Sequence, residues 1–365
     1  MNYASLANPG VFNQPIYVPG KPISQVALEY DLDAKSIDKL ASNENPFGPS
    51  PMAVQAVMDA TREMHLYPDG SCTDLKLAVS DRFDLEPDNF IFGNGSNEII
   101  ELLGHAFLRP GLNAVVGSHS FIVYRLVAKL FGADVIDVPM KGFAHDLDAM
   151  LDAINEETRI VFVASPNNPT GMANSEEALL RFIEHIPEHV IFCFDEAYAE
   201  YLKKAPNLVP SLKQGKKIIC MRTFSKIYGL GGLRVGYGYA DKELIALLNR
   251  VRQPFNVNLL AQKAALSAFS DIDFVNNCRH KNELGRTVLL EQLSDLGIKC
   301  YGGSANFVLA CVGDGRYFFE ELQKLGTIVR PLDNYKLPDY IRITIGTESE
   351  NARLVKHLHS ILAKR

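Results

Sequence analysis

Short apolar runs alternate with longer amphipathic stretches between about residues 50 and 250. The runs are Phe90–Phe92, Ala114–Val116, Val135–Val138, Ile160–Val163, Val190–Phe194, Ile218–Met221 and Val235–Ala240. Glycine, proline or a polar residue follows most of them. Near-continuous apolar strands with helices between them predict an α/β unit: a mostly parallel sheet flanked by helices on both faces. The pattern changes near residue 255. Residues 258–300 read as mostly helix, on Leu259, Ala264, Ala265, Leu266 and then Leu289, Leu290 and Leu293. After them Ala305–Cys311, Phe318–Leu325, Ile341–Ile345 and Ala352–Leu362 mix strands and helices in another order, the signature of a smaller α+β domain. Residues 1–35 are rich in turn formers and aromatics and read as an arm on a surface. The expected organisation is an arm with part of the small domain at 1–45, a large domain at 46–255 and a small domain at 256–365.

Composition narrows the function classes. With 365 residues, 47% apolar and 22% charged, the chain is long enough for two cores and ordinary in balance. A formal net charge of −6 and the lack of a basic run argue against nucleic acid as a partner. No apolar stretch nears the ~18 residues of a membrane span, and the N-terminus lacks the basic and apolar regions of a secretion signal. The six cysteines are scattered without C-x-x-C spacing, as in reduced proteins of the cytoplasm. Only His185 and His189 have metal-like spacing, and Pro187 between them breaks the helix such a site needs, so no metal is expected.

In an open α/β sheet, ligands bind beyond the carboxyl ends of the strands. The polar residues at those ends form a set. Gly93-Asn-Gly95-Ser96-Asn97-Glu98 follows one strand and opens a helix, where free amides can hold a phosphate. Alone it also reads as a turn with Ser96 as N-cap. Ser165-Pro-Asn-Asn168-Pro-Thr-Gly171 is a stiff loop that aims the Asn168 amide, or simply a Pro-Gly turn. Asp195, in Phe194-Asp-Glu-Ala-Tyr198, is a strand-end carboxylate that needs a partner, or an N-cap. The loop Arg222-Thr-Phe-Ser225-Lys226, followed by four glycines and Arg234, places a lysine at a strand end beside a cation. An anion cradle, an amide, a carboxylate with a phenol, and a lysine with an arginine together suit one chemistry. It is covalent capture of pyridoxal 5′-phosphate by Lys226, with Asp195 on the ring nitrogen.

The motifs Asn168-Pro-Thr-Gly171, Asp195-x-x-Tyr198, Ser225-Lys226 and Gly232-Leu-Arg234-x-Gly236 resemble those of the fold-type I, class II aminotransferases. Further stretches are similar to the histidinol-phosphate aminotransferase family. They are Tyr17–Ile23, Leu40–Pro51, Tyr67–Gly70, Arg252–Asn258 and Tyr340–Gly346, and the likeness runs from about residue 15 to 360. The resemblance implies the fold-type I large domain and transamination between L-histidinol phosphate and 2-oxoglutarate, giving glutamate. It implies Lys226 as the cofactor lysine and proton shuttle, Asp195 on the ring nitrogen, and Asn168 and Tyr198 on the ring oxygen. Tyr124 would stack on the ring. Gly95, Ser96, Asn97, Thr223, Ser225 and Arg234 would hold the phosphate. Tyr67 would reach the phosphate of a second subunit, so the resemblance also implies a homodimer with shared sites.

For the substrate, the resemblance puts Arg342 and Arg330 on an anion, with Tyr17 and Asn43 nearby. The alternation in Ile341-Arg342-Ile343-Thr344-Ile345 turns Arg342 and Thr344 away from the isoleucines, into a site or into solvent. Asn43 and Asn45 also fit ordinary turn chemistry ahead of Pro46. One position departs: Phe255 stands where some family members carry a tyrosine, and a phenyl ring cannot donate to phosphate. That leaves an aromatic amino acid as an alternative substrate and, on a related fold, decarboxylation of threonine phosphate as an alternative reaction.

Overall fold

In the computed structural model, which describes residues 3–7, 9–12, 14 and 20–364, the seven apolar runs become the strands of one sheet. They are β1 (Phe90–Gly93), β2 (Asn113–Gly117), β3 (Asp134–Val138), β4 (Thr158–Ala164), β5 (Ile191–Asp195), β6 (Ile218–Thr223) and β7 (Gly236–Ala240). Their order across the sheet is β1-β7-β6-β5-β4-β2-β3. The pairs from β6 to β3 are parallel, while β7 runs antiparallel to both β6 and β1. A parallel return requires a long crossover. Between β6 and β7 the chain has only the Lys226 loop, so β7 comes straight back.

Period-two alternation sorts the strand residues onto two cores. Phe192, Phe194, Cys220, Tyr237 and Tyr239 face one. Cys193, Phe162, Ile219 and Met221 face the other, with helices α1 (Ser96–Phe107) and α2 (Ile122–Leu130) laid over them. Both faces are covered, as the unbroken apolar runs predict.

A second sheet is antiparallel, with strands β8 (Lys299–Tyr301), β9 (Phe307–Cys311), β10 (Arg330–Pro331) and β11 (Tyr340–Thr344) in the order β8-β9-β11-β10. Its own core contains Val308, Ile341 and Ile343, with Phe318, Leu322, Leu354 and Leu358 from the helices Gly315–Lys324 and Glu348–Leu362. The early segment Asp38–Lys39 pairs with Thr327–Ile328 beside this unit. Helix Leu259–Ser270 belongs by packing to the large sheet, because Ala261, Ala264, Ala265, Ala268 and Phe269 enter that core. Its small-residue face, not its place in the chain, decides this. Among the described residues no helix is long and apolar enough to cross a membrane.

Candidate active site

The carboxyl ends of β1, β4, β5 and β6 converge on a cavity of about 220 Å³. The second sheet closes it from above with Arg330 and Arg342. Ser96, Asn97, Tyr124, Asn168, Asp195, Tyr198, Thr223, Ser225, Lys226, Arg234 and Asn43 also line it. Residues 299 positions apart in the chain, such as Asn43 and Arg342 (342 − 43), thus meet in one place.

Lys226 sits on the loop after β6, its Nζ 5.7 Å from the centre of the Tyr198 ring. Burial first, then the cations of Arg342 and Arg234, lower its pKa to about 8, with Glu44 and Asp195 opposing. An amine so tuned keeps a larger free-base fraction near neutral pH than an ordinary lysine. Asp195 ends β5 and is buried. It accepts from Tyr124 Oη at 2.6 Å and from the Ala197 amide at 3.0 Å. Burial raises its pKa, and the two hydrogen bonds pull the other way. No α-helix starts at Asp195, so it is not an N-cap. Tyr198 occupies the N-cap position of the next helical turn, Ala199–Tyr201, without a side-chain capping bond.

Asn43 Nδ2 donates to Tyr198 Oη at 2.8 Å. The Tyr198 proton is thereby left for an acceptor in the cavity, and burial keeps the phenol neutral, with its pKa raised to about 12. Asn43 Oδ1 accepts from Thr344 Oγ1 at 3.3 Å. The Asn43 amide therefore orients Tyr198 as well as facing the cavity. Asn45 is not in the lining: it accepts from the Phe47 amide at 3.1 Å, which is turn chemistry, and donates to the distant Ile227 carbonyl at 2.7 Å. Tyr124 stacks on Phe162, with centroids 4.7 Å apart and planes 6° from parallel. Its hydroxyl on Asp195 is a contact the sequence did not suggest.

The anion cradle is built by glycines. Gly95, at φ 78°, is the N-cap of α1 and gives it no side-chain cap. Ser96 is the first residue inside the helix and not the cap. A Cβ on Gly95 would land on Arg234 Nη2, and one on Gly236 would lie 2.5 Å from the Ser96 amide. Arg234 is itself at φ 60° and reaches Ser225 Oγ at 3.3 Å. Ser225 N bonds Thr223 Oγ1 at 3.1 Å. Uncapped helix amides beside a guanidinium form a site for a dianion.

Arg330 and Arg342 stand directly opposite each other on β10 and β11. Like charges across a ladder repel, and an anion between them removes the conflict.

Tyr67, expected at the phosphate of a second subunit, is not part of this lining. It is 84% exposed and stacks on Phe255 at 4.8 Å. Tyr17 lies outside the described residues. Tyr335 lines the cavity and was not expected; its carbonyl pairs with His119 Nδ1 at 2.6 Å. Its position rests on the fold of the small unit, and no local signal marks it. The set of buried Glu196 and Tyr239 with partly buried Glu200 and Arg222 was also missed. An arginine inside an apolar strand was its visible trace.

The chain is similar to known proteins over nearly its whole length. A match to the family Aminotransferase class I and II spans residues 35–358. Histidinol-phosphate aminotransferase 2 of Pseudomonas fluorescens is 45% identical over 366 residues, covering 100% of this chain and 99% of the relative. Histidinol-phosphate aminotransferase of Methylobacillus flagellatus is 46% identical, over 96% of this chain and 95% of the relative. The solved histidinol-phosphate aminotransferase of Sinorhizobium meliloti, in complex with pyridoxal-5′-phosphate, shares the fold: TM-score 0.90, 24% identity, 99% of this chain and 98% of that one. With a family match over most of its length and relatives of such identity from end to end, this chain belongs to the class I and II aminotransferases.

Proposed function

We propose that this chain is a pyridoxal-phosphate-dependent aminotransferase of histidine biosynthesis. It would move the amino group of L-histidinol phosphate to 2-oxoglutarate, giving imidazole acetol phosphate and L-glutamate. The observation that carries this reading is the facing pair Arg330 and Arg342 at the cavity. Two guanidinium forks suit the phosphate ester of one substrate and a carboxylate of the other. The end-to-end similarity to enzymes named for this reaction supports it.

The cavity fits the cofactor. The space kept clear by Gly95 and Gly236, with the open N-terminus of α1, matches a phosphate. Gly95, Ser96, Asn97, Thr223, Ser225 and Arg234 would hold it. Asp195 would hold the proton of the ring nitrogen, its own position fixed by Tyr124. Asn168 and Tyr198 each have a donor left for the ring oxygen, and Tyr124 would lie against the ring. When bound, the cofactor supplies an electron sink for the pair left on the substrate carbon. Lys226 would anchor the cofactor until the incoming amine displaces it. Its freed Nζ would then take the proton from the amine-bearing carbon and return it during transfer. Arg330, Arg342, Asn43 and Tyr17 would set the substrate in place.

The enzyme would work in the cytoplasm as a homodimer with shared sites. Tyr67, exposed and away from its own cavity, would reach the partner's phosphate. The apolar side chains of Met58, Met64 and Leu66, near it in the chain, are likewise exposed, as suits a covered face.

One assay tests the reading. Purified protein with cofactor, histidinol phosphate and 2-oxoglutarate should produce glutamate, with kcat/KM well above that for phenylalanine or tyrosine. A preference for the aromatic amino acids would replace this substrate assignment. Release of carbon dioxide from threonine phosphate would replace the reaction.

A further inference from the structure

Asp195 and Glu196 are consecutive at the end of β5, so their side chains leave opposite faces of the sheet. Asp195 points to the side of Tyr124 and the cavity. Glu196 points to the far core and is only 1% exposed. There its Oε2 accepts from Arg222 Nη2 at 2.8 Å and its Oε1 from Tyr239 Oη at 2.5 Å. Arg222 also reaches Glu200 Oε1 at 3.3 Å, and its guanidinium lies 5.0 Å from the centre of the Phe83 ring. The Glu196 amide donates to the Met221 carbonyl at 2.8 Å, so the strand ends that carry Asp195 and Arg222 are locked in register. None of Glu196, Glu200, Arg222 and Tyr239 lines the cavity.

A buried carboxylate without a cation is costly and acts on any charge nearby. Glu196 is one residue from the carboxylate on which the cofactor reading depends. We propose that Arg222 is a positioning residue for the reaction: by neutralising Glu196 on the far face, it keeps Asp195 an ionised, fixed acceptor on the cavity face. This rests on the role given to Asp195 above. Burial and the Glu196 charge both favour the protonated form of Asp195, against Tyr124, the Ala197 amide and the Lys226 cation. Without Arg222 the Glu196 charge would act on Asp195 uncompensated. A protonated Asp195 would offer the ring nitrogen a weaker, uncharged partner. Burial raises the pKa of Glu200, the outer carboxylate of the set, with Arg222 opposing. At 2.8 Å from Glu196 and 3.3 Å from Glu200, the guanidinium serves Glu196 first.

The test is a cycle of variants of the full-length protein, each titrated with pyridoxal 5′-phosphate and assayed for turnover. Arg222→Met should weaken cofactor binding about tenfold, the equivalent of one pKa unit, and lower kcat. Glu196→Gln added to Arg222→Met should restore binding, because the uncompensated charge is gone. In an Asp195→Asn background, Arg222→Met should cost nothing more. An equal loss in the Asp195→Asn background, or no rescue by Glu196→Gln, would show that Arg222 only supports the fold and would overturn the proposal. Should Arg222→Met alone not fold, the doubly substituted Arg222→Met, Glu196→Gln protein decides: near-parental binding supports the proposal and a tenfold loss refutes it. Parental cofactor binding and turnover in Asp195→Asn itself would instead remove the reading of Asp195.

Discussion

Arg342 Nη1 donates to Asn168 Oδ1 across 2.5 Å, joining the second sheet to the loop after β4. The bond fixes the Asn168 amide with its oxygen toward Arg342, leaving Nδ2 to donate into the cavity. A second bond, from Arg342 Nη2 to the Ala41 carbonyl at 2.5 Å, holds the guanidinium plane. The side chain proposed for the substrate anion is thus tied to one proposed for the cofactor.

Arg342→Lys keeps the charge and loses the fork. A lysine cannot reach Asn168, Ala41 and an anion with fixed geometry. Charged hydrogen bonds are each worth about 1.5–3 kcal/mol, so kcat/KM should fall by roughly 10- to 150-fold for both histidinol phosphate and glutamate. Steady-state kinetics with both donors checks this. A loss confined to one donor would mean that the two anions do not share Arg342.

Lys226→Ala should remove turnover, by at least the roughly 10²–10⁴-fold contributed by a positioned base, together with the visible absorbance of the bound cofactor. In the protein without cofactor, pH gives a second reading. The Lys226 pKa is about 8 when folded against 10.5 for the ordinary side chain. A depressed lysine destabilises the fold while it is charged. That penalty is complete below about pH 8 and is relieved as pH rises toward 10.5. Lys226→Met should therefore stabilise the protein against urea at neutral pH, with the gain shrinking through that window. A gain that does not change with pH would rule out the buried charge as its source. Arg342→Gln, which removes a cation that lowers this pKa, should raise the lower edge of that window.

Gly95 and Gly236 are both close to the cradle, but alanine should act differently at each. At Gly95 the new Cβ meets the end of the Arg234 side chain, which can move away, though the φ of 78° adds strain of about 1–2 kcal/mol. At Gly236 it meets the Ser96 backbone amide at 2.5 Å, which cannot move without shifting α1. Gly95→Ala should fold with a modest fall in Tm and bind pyridoxal 5′-phosphate at least about tenfold more weakly, one charge-assisted contact's worth. Gly236→Ala should lose more in Tm. Calorimetry and cofactor titration separate the two, and equal melting losses would contradict the argument.

Much of this molecule was legible in the sequence. The seven apolar runs are strands because each is short, mostly apolar and in most cases followed by a glycine, proline or polar residue, all local properties. Asn168, Asp195 and Lys226 stood out because each follows such a run, and parallel strands bring those ends together. The resemblance added residues, such as Arg330 and Arg342, that no local pattern marks as a pair. Where local reasoning offered a cap, at Ser96 and Asp195, the backbone chose otherwise. Gly95 takes the cap position with a positive φ, and Asp195 turns to Tyr124.

The sequence alone determined what each segment is: strand, helix or turn, and which strand ends carry polar groups. Those follow from neighbours a few residues away. The tertiary structure decided which group each polar atom faces: Tyr124 on Asp195, Asn43 on Tyr198, Arg342 on Asn168, and Arg222 on Glu196 behind the sheet. These partners lie 71, 155, 174 and 26 residues apart. A hydrogen bond needs its two atoms within about 3 Å and aligned, and only the packing of both sheets fixes that.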